Sequence, residues 1–341
     1  MPQPEVPGVS LVVTVKDMAD EIEGLLADVA GLDWPDECLQ LVLVDAFSSD
    51  GTWPQIQEFA AEASFDVAAV QKEGRIGAGR NEGFRLAAHD LVAVTDADMR
   101  VPRRWLHELV AGMDEPDIGV VGGPNDSATD DLVSRTIACI PVHGPSLGIV
   151  PILRGNKYTR DYTTDSDVYA CVTRNSLFRR EAFDAAGGFD EGLIATEDPE
   201  LNRRILDEGY RLRYRRAAGV RHVQRETLGA FHRQQRNYAV GQVHANRRHP
   251  GMRSVKQVAP SLGCAAFLVT LLFGLVDVRL LLVPAALAAA AVLFVVYYAV
   301  RCAIVKRDPA LLVTVPLFVL AWQFAWVVGY PKGTWEVWRA R

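Results

Sequence analysis

Short apolar runs alternate with stretches whose apolar residues recur at helical spacing. Val9–Val15 (VSLVVTV), Leu39–Val44 (LQLVLV), Val67–Gln71, Leu91–Thr95 and Gly119–Gly123 are the apolar runs of the first part of the chain. Runs this short and this apolar predict strands buried on both faces, as in a parallel sheet. Asp20 with Glu23 has the spacing of a capping box and predicts a helix through Leu32. Further helices are expected from Thr52, over Ile76–Ala88, and from Pro102, which suits a first helical turn. Strands alternating with helices predict an α/β fold with a doubly wound, mostly parallel sheet. Right-handed crossovers then bring the strand C-termini to one rim, where open α/β sheets bind ligands. Later, Val168–Thr173 predicts a strand, Arg180–Ala186 a helix stopped by Gly187-Gly188, and Pro199–Glu208 another helix. Leu212–Tyr214 and Gly219–Val223 predict short strands, and Glu226–Ala245 an amphipathic helix.

After about Val255 the pattern changes. Val258–Val276, Leu280–Val300 and Ala310–Tyr330 are three long apolar stretches without Asp, Glu, Lys or Arg. Each approaches the roughly 20 residues a helix needs to cross a bilayer. A buried hairpin in a soluble core is the rival reading, and three such runs in succession weigh against it. Arg247, Arg248, Arg253 and Lys256 precede the first stretch, and Arg301, Lys306 and Arg307 separate the second from the third. Both clusters predict a cytoplasmic side, and with it a cytoplasmic catalytic domain. The basic tail with Lys332, Arg339 and Arg341 conflicts with three simple crossings. One stretch is therefore expected to be re-entrant or interfacial, with Pro284 and Pro316 as candidate bends. Trp322, Trp326, Tyr330, Trp335 and Trp338 suit an interfacial aromatic belt. The expected organisation is an α/β domain over 1–225, a juxtamembrane helix and linker over 226–257, and transmembrane helices over 258–341.

Composition narrows this picture only a little. With 341 residues, a net charge of −6 and 49% hydrophobic residues, the chain has no basic excess for nucleic acid. Cys38, Cys139, Cys171, Cys264 and Cys302 lack C-x-x-C spacing and predict reduced thiols, not a disulfide frame or zinc site. The N-terminal MPQPEVPG has neither a basic start nor an apolar core, so no secretory signal is expected there.

The candidate chemistry starts where the fourth strand ends, at Asp96-Ala97-Asp98. Two carboxylates one residue apart at a strand end form a hard oxygen site suited to Mg²⁺ or Mn²⁺ with a substrate phosphate. A surface loop whose acids cap the next helix would satisfy the same spacing. Asp45, at the second strand end, can accept a hydrogen bond from a uracil-like N–H. Arg75 and Arg80 flank Gly77 and Gly79; the glycines allow a close backbone approach, and the arginines can pair with phosphate or base oxygens. Arg80 could equally be buried in an ion pair with a sheet-edge acid.

Five segments in this order, VSLVVTVKD, LVLVDAFSSDGT, GRIGAGRNEG, VAVTDAD and GGFDEGLIATEDPELNRRI, resemble glycosyltransferase family 2, whose members have the GT-A fold. The resemblance covers Val9 to Ile205. It implies a nucleotide-sugar donor of UDP or GDP type, a divalent cation and inversion at the anomeric carbon. It places Asp45 on the base, Asp96 near the ribose, Asp98 on the metal and Asp198 as the base of the Glu-Asp motif. Glu197 would position sugar or acceptor, and a histidine such as His222 joins the metal shell in several transferases of this fold. The alternative for His222 is a hydrogen-bonded core histidine. Glu197 and Asp198 also favour the dipole of the helix that follows. Two departures stand out: Ala46 replaces the second acid of the base motif, and Lys16-Asp17 replaces the more common Asn-Glu, making Lys16 a candidate donor contact.

The helix from Glu226 resembles the family segment before the membrane, with Phe231, Arg233, Gln234, Gln235, Arg236 and Tyr238. Arg236 and its basic neighbours are candidates to hold the leaving diphosphate, or else form a solvated face near anionic lipid. Processive members carry Gln-x-x-Arg-Trp there; Asn237 and Tyr238 follow Arg236 here, which implies transfer of a single sugar. The Gly/Pro-rich stretch Pro124–Asp165 is expected to form acceptor surface. The expected enzyme moves one sugar to a lipid-linked or glycan acceptor, in polysaccharide or glycoconjugate synthesis. Two rivals are a sugar nucleotidyltransferase, which would place a Gly-rich basic loop where Lys16-Asp17-Met18-Ala19 stands, and a non-catalytic membrane scaffold.

Overall fold

The structure is a computed structural model that describes residues 6–140, 165–168, 170–223, 227–253, 255–273 and 277–339. The expected acceptor surface over Pro124–Asp165 falls mostly outside these, as do Glu226 and the last residues of the first apolar stretch. The chain divides into two compact units. One takes in 1–128 and 161–224, the other 129–160 and 225–341.

The first unit is built on an eight-stranded sheet. Its strands are β1 (Val9–Val15), β2 (Leu39–Asp45), β3 (Asp66–Gln71), β4 (Leu91–Asp96), β6 (Ile118–Gly122), β8 (Ser166–Val168), β9 (Asn175–Arg179) and β10 (Arg211–Tyr214), in the order β3-β2-β1-β4-β9-β6-β10-β8. β1 runs parallel to β2 and β4, β2 to β3, and β6 to β10. β9 is inserted antiparallel between β4 and β6, and β8 is antiparallel to β10. The sheet is therefore mostly parallel, as expected. Alternate residues feed two cores: Leu11, Val13, Leu41 and Leu43 pack with Ile22, Leu25 and Trp105, while Val12, Val42, Val44 and Val94 pack with Phe84, Phe178 and Phe183. Burial on both faces explains the unbroken apolar runs.

Three local expectations are corrected. The helix after β1, α1 (Ile22–Ala30), has no side-chain cap from Asp20; the Ile22 amide bonds to the Met18 carbonyl instead. Pro102 lies in a turn whose carbonyl accepts from Trp105, and the helix starts only at Trp105. The strand expected at Val168–Thr173 is replaced by β8, ending at Val168, and β9, starting at Asn175. Asn175 and Ser176 are buried but polar, which hid β9 from an apolar-run reading. The small residues of helix α3 (Ile76–Leu86), expected to make room for a ligand, also serve a close approach to the sheet. A Cβ on Gly83 would lie 2.2 Å from Val12 Cγ1, and one on Gly79 would lie 3.1 Å from Thr14 Cγ2.

A second, small sheet matters for the site. β5 (Met99–Arg100) and β11 (Val220–His222) pair antiparallel, with His222 opposite Met99, and β7 (Asn125–Ser127) pairs parallel with β11.

The second unit is helical. It contains a helix over Leu132–Cys139, a juxtamembrane helix over Leu228–Arg248, and apolar helices over Val255–Phe273, Leu282–Lys306 and Leu311–Arg339. Two of these, Leu282–Lys306 and Leu311–Arg339, are long and apolar enough to cross a membrane; the described part of the first apolar stretch forms a shorter helix. Trp322 and Trp326 are buried with Phe318 against Phe231 and Ala239 of the juxtamembrane helix, so they are core residues and not a belt. Trp335 and Trp338 remain exposed and stacked at 4.9 Å. Asp308 receives the Arg135 Nε at 2.9 Å, and the Thr136 and Thr314 hydroxyls meet at 2.7 Å.

Candidate active site

Strand register assembles the site. Val15 is opposite Asp45, Thr14 opposite Asp96, and Thr95 opposite Asn175. The C-terminal ends of β1, β2 and β4 and the N-terminal end of antiparallel β9 therefore share one rim. The helix α7 (Glu197–Asp207) begins at the Glu-Asp pair, so both acids stand in its first turn, where the helix dipole favours negative charge.

Arg80, on α3, is 2% exposed and holds three of the predicted acids. Its Nη1 donates to Asp198 Oδ1 at 2.9 Å and Glu197 Oε1 at 3.1 Å, and its Nη2 to Asp96 Oδ1 at 3.3 Å. The ion-pair alternative thus describes Arg80, and with three acids instead of one. Burial works against the guanidinium charge, but the Asp198, Asp96 and Glu197 charges outweigh it and hold Arg80 protonated. Thr173 donates its backbone N–H to Asp198 Oδ2 at 3.2 Å, so both oxygens of Asp198 are oriented. Burial, and then the Asp198 charge, push the Glu197 carboxyl up to about 7. Burial also raises Asp96, against the pull of Arg80.

Asp98 Oδ2 lies 2.8 Å from His222 Nε2. Pairing of β5 with β11 delivers this contact across the sequence. Burial alone would raise the Asp98 carboxyl; the His222 hydrogen bond and the His222 and Arg174 charges outweigh it and lower it. Among the described residues, no group of three or more His, Cys, Asp or Glu side chains forms a metal cage. Asp98 and His222 are one hard oxygen and one imidazole nitrogen. That donor pair fits Mn²⁺ or Mg²⁺ where substrate phosphate and water complete the shell.

Three of the remaining candidates, Asp45, Lys16 and Arg75, are engaged with protein atoms. Asp45 is fully buried: it accepts from the Ser48 amide at 3.0 Å, the Ser48 hydroxyl and Gln71 Nε2 at 2.8 Å, which fills both oxygens. Lys16 Nζ donates to the Ala46 and Phe47 carbonyls at 2.8 and 2.9 Å. Arg75 donates to the Gly192 carbonyl. Arg236 belongs to the second unit. Sequence reasoning missed Ser48 and Gln71 as partners of Asp45, although Ser48 lies three residues on, the spacing at which a strand-end aspartate caps a turn. It also missed Phe47, 54% exposed in a left-handed conformation with φ of 57°.

The probable glycosyltransferase YdaM of Bacillus subtilis is 26% identical over 244 residues, covering 70% of this chain and 56% of that protein. Poly-beta-1,6-N-acetyl-D-glucosamine synthase of Staphylococcus aureus is 24% identical over 238 residues, covering 70% and 55%. The chain spans about half the length of these curated relatives. Among solved structures, the mannosyltransferase PcManGT of Pyrobaculum calidifontis, in complex with GDP-Man and Mn²⁺, superposes with a TM-score of 0.61 at 21% identity, over 97% of this chain and 88% of that one. This likeness shows the fold, which is of the GT-A type. The family model described as glycosyl transferase family 2 matches residues 10–187, just over half of the 341. The chain therefore belongs to glycosyl transferase family 2.

Proposed function

We propose that this transferase moves a single sugar from a nucleotide-diphosphate sugar to a hydroxyl acceptor on a membrane lipid or a membrane-bound glycan, with inversion. The observation that carries the reading is the convergence of Asp96, Glu197 and Asp198 on Arg80, at the rim that also bears the Asp98–His222 pair. The donor lies along this rim, with its base toward Asp45 and its ribose toward Asp96. A base contact at Asp45 takes over one of the positions now filled by Ser48. The PcManGT complex, which holds GDP-Man and Mn²⁺, supports a nucleotide-sugar donor with a divalent ion. Bound at Asp98 and His222, Mg²⁺ or Mn²⁺ would supply positive charge against the diphosphate.

Asp198 is the base. One of its oxygens is held by Arg80 and the other by the Thr173 amide, which fixes the carboxylate plane for an incoming hydroxyl. The acceptor oxygen attacks the anomeric carbon, Asp198 takes its proton, and the bond to the diphosphate breaks on the opposite face. Glu197, with a carboxyl titrating near 7, can donate a hydrogen bond to the sugar or acceptor at neutral pH. Arg80 positions all three acids.

The two long apolar helices support a membrane-borne acceptor, and the basic residues 301, 306 and 307 at the C-terminal end of the first support a cytoplasmic site. Asn237 and Tyr238 support single-sugar transfer over polymerisation.

The test is turnover of UDP- and GDP-sugars with Mn²⁺ by the full chain in detergent or vesicles, against D198N. Loss of transfer by about 10²-fold or more, with donor binding retained, is expected of a base. If D198N keeps near-normal turnover, the acceptor oxygen is already anionic, as in a polyprenyl phosphate, and the hydroxyl reading fails.

A further inference from the structure

Three of the cations first expected to meet the donor are taken by the protein. Arg80 is shared among three acids, Arg75 is bonded to the Gly192 carbonyl, and Lys16 holds two carbonyls of the turn after β2. Arg174 is different. It occupies the turn directly before β9, and the β4–β9 register, with Thr95 opposite Asn175, puts it next to Asp96 at the rim. Its neighbours are rigidly held. The Thr173 amide bonds to Asp198, and the Asn175 side chain donates to the Pro124 and Ala218 carbonyls and accepts from Trp105 Nε1. Its charge acts on both Asp96 and Asp98. Yet among the described residues its guanidinium makes no ion pair or hydrogen bond, and its Nε is buried without a partner. A guanidinium so placed presents a planar, partly desolvated fork of donors, the geometry that matches two phosphate oxygens.

We propose that Arg174 binds the diphosphate of the nucleotide-sugar donor and holds the nucleoside diphosphate as it departs. This rests on the glycosyl-transfer reading of the same rim. It adds a binding residue from the turn before β9, a segment that the sequence motifs do not include. Arg174 is placed to touch the phosphates and not the base, so its contribution depends on the second phosphate.

The experiment compares UDP and GDP with UMP and GMP as ligands of the full chain in detergent with MnCl₂, by calorimetry, for the wild type, R174Q and R174K. Loss of a charge-assisted fork should weaken the diphosphate that the wild type prefers by about ten-fold or more in R174Q, and leave the matching monophosphate nearly unchanged. R174K, which keeps the charge but not the fork, should lie between them. Equal weakening of both nucleotides, or none, overturns the assignment. If R174Q does not fold, by thermal unfolding, R174K decides by the same contrast. A wild type that binds neither diphosphate fails the donor reading itself, and Arg174 with it. A wild type that binds one, with variants unchanged, fails only Arg174.

Discussion

Asp98 Oδ2 and His222 Nε2 meet at 2.8 Å although 124 positions separate them in the chain. A two-residue strand inside the loop after β4 pairs with the last strand of the first unit, and this pairing alone sets the contact. If the pair binds a divalent ion, H222A should raise the Mn²⁺ concentration for half-maximal transfer by about ten-fold or more. Mn²⁺ titrations of transfer by wild type and H222A check it.

Removing Arg80 leaves three acids facing each other without a cation. R80M should cost about 3–5 kcal/mol at neutral pH, as when one partner of a buried ion pair is deleted. The loss should shrink in acid, where the carboxylates protonate. Thermal unfolding of R80M against wild type across pH measures it; a pH-independent loss would mean that Arg80 matters through packing, including its contact with the Phe189 ring at 5.4 Å.

Glu197 gives a distinct pH signature. Burial and the Asp198 charge raise its carboxyl to about 7 in the fold, above the 4.5 of an ordinary glutamate. Between these values the folded state binds more protons than the unfolded one, so this group's contribution to stability falls as pH rises from about 4.5 to 7. E197Q cannot ionise. Its stability should therefore decline less than wild type over that window, by denaturant midpoints at fixed pH.

Gly83 tests the packing of α3 on the sheet. An added Cβ would lie 2.2 Å from Val12 Cγ1, in the middle of β1. G83A should destabilise by about 1–3 kcal/mol. A smaller companion residue, V12A, should recover part of this in the double variant, because the clash and the vacancy coincide.

Much of the fold was legible because a strand buried on both faces admits little but apolar residues. β1, β2 and β4 were plain for that reason, and Asp45, Asp96 and Asp98 followed as the first charges after them. The Glu197–Asp198 pair was legible through its place before a helix. What escaped notice obeys tertiary context. Asn175 is buried and polar because it serves two carbonyls and an indole, so β9 looked unlike a strand. Gly79 shows why such glycines are ambiguous in sequence: a tight helix–sheet approach and a phosphate cradle call for the same missing side chain. Trp322 and Trp326 looked interfacial because spacing on one helix cannot reveal the helix that covers it. Arg174 carried no signal, since its value lies in what it leaves unbonded.

The hub around Arg80 has a further consequence for traffic into the pocket. Three carboxylates share one guanidinium and Asp98 stands beside them, so even with Arg174 counted the acids of this rim outnumber its arginines. A bare polyanion is repelled at the threshold, while one that arrives already escorted by cations is drawn in. Nucleotides stripped of counter-ions should therefore be poor visitors, and ordered addition becomes a property of the charge layout instead of any moving part.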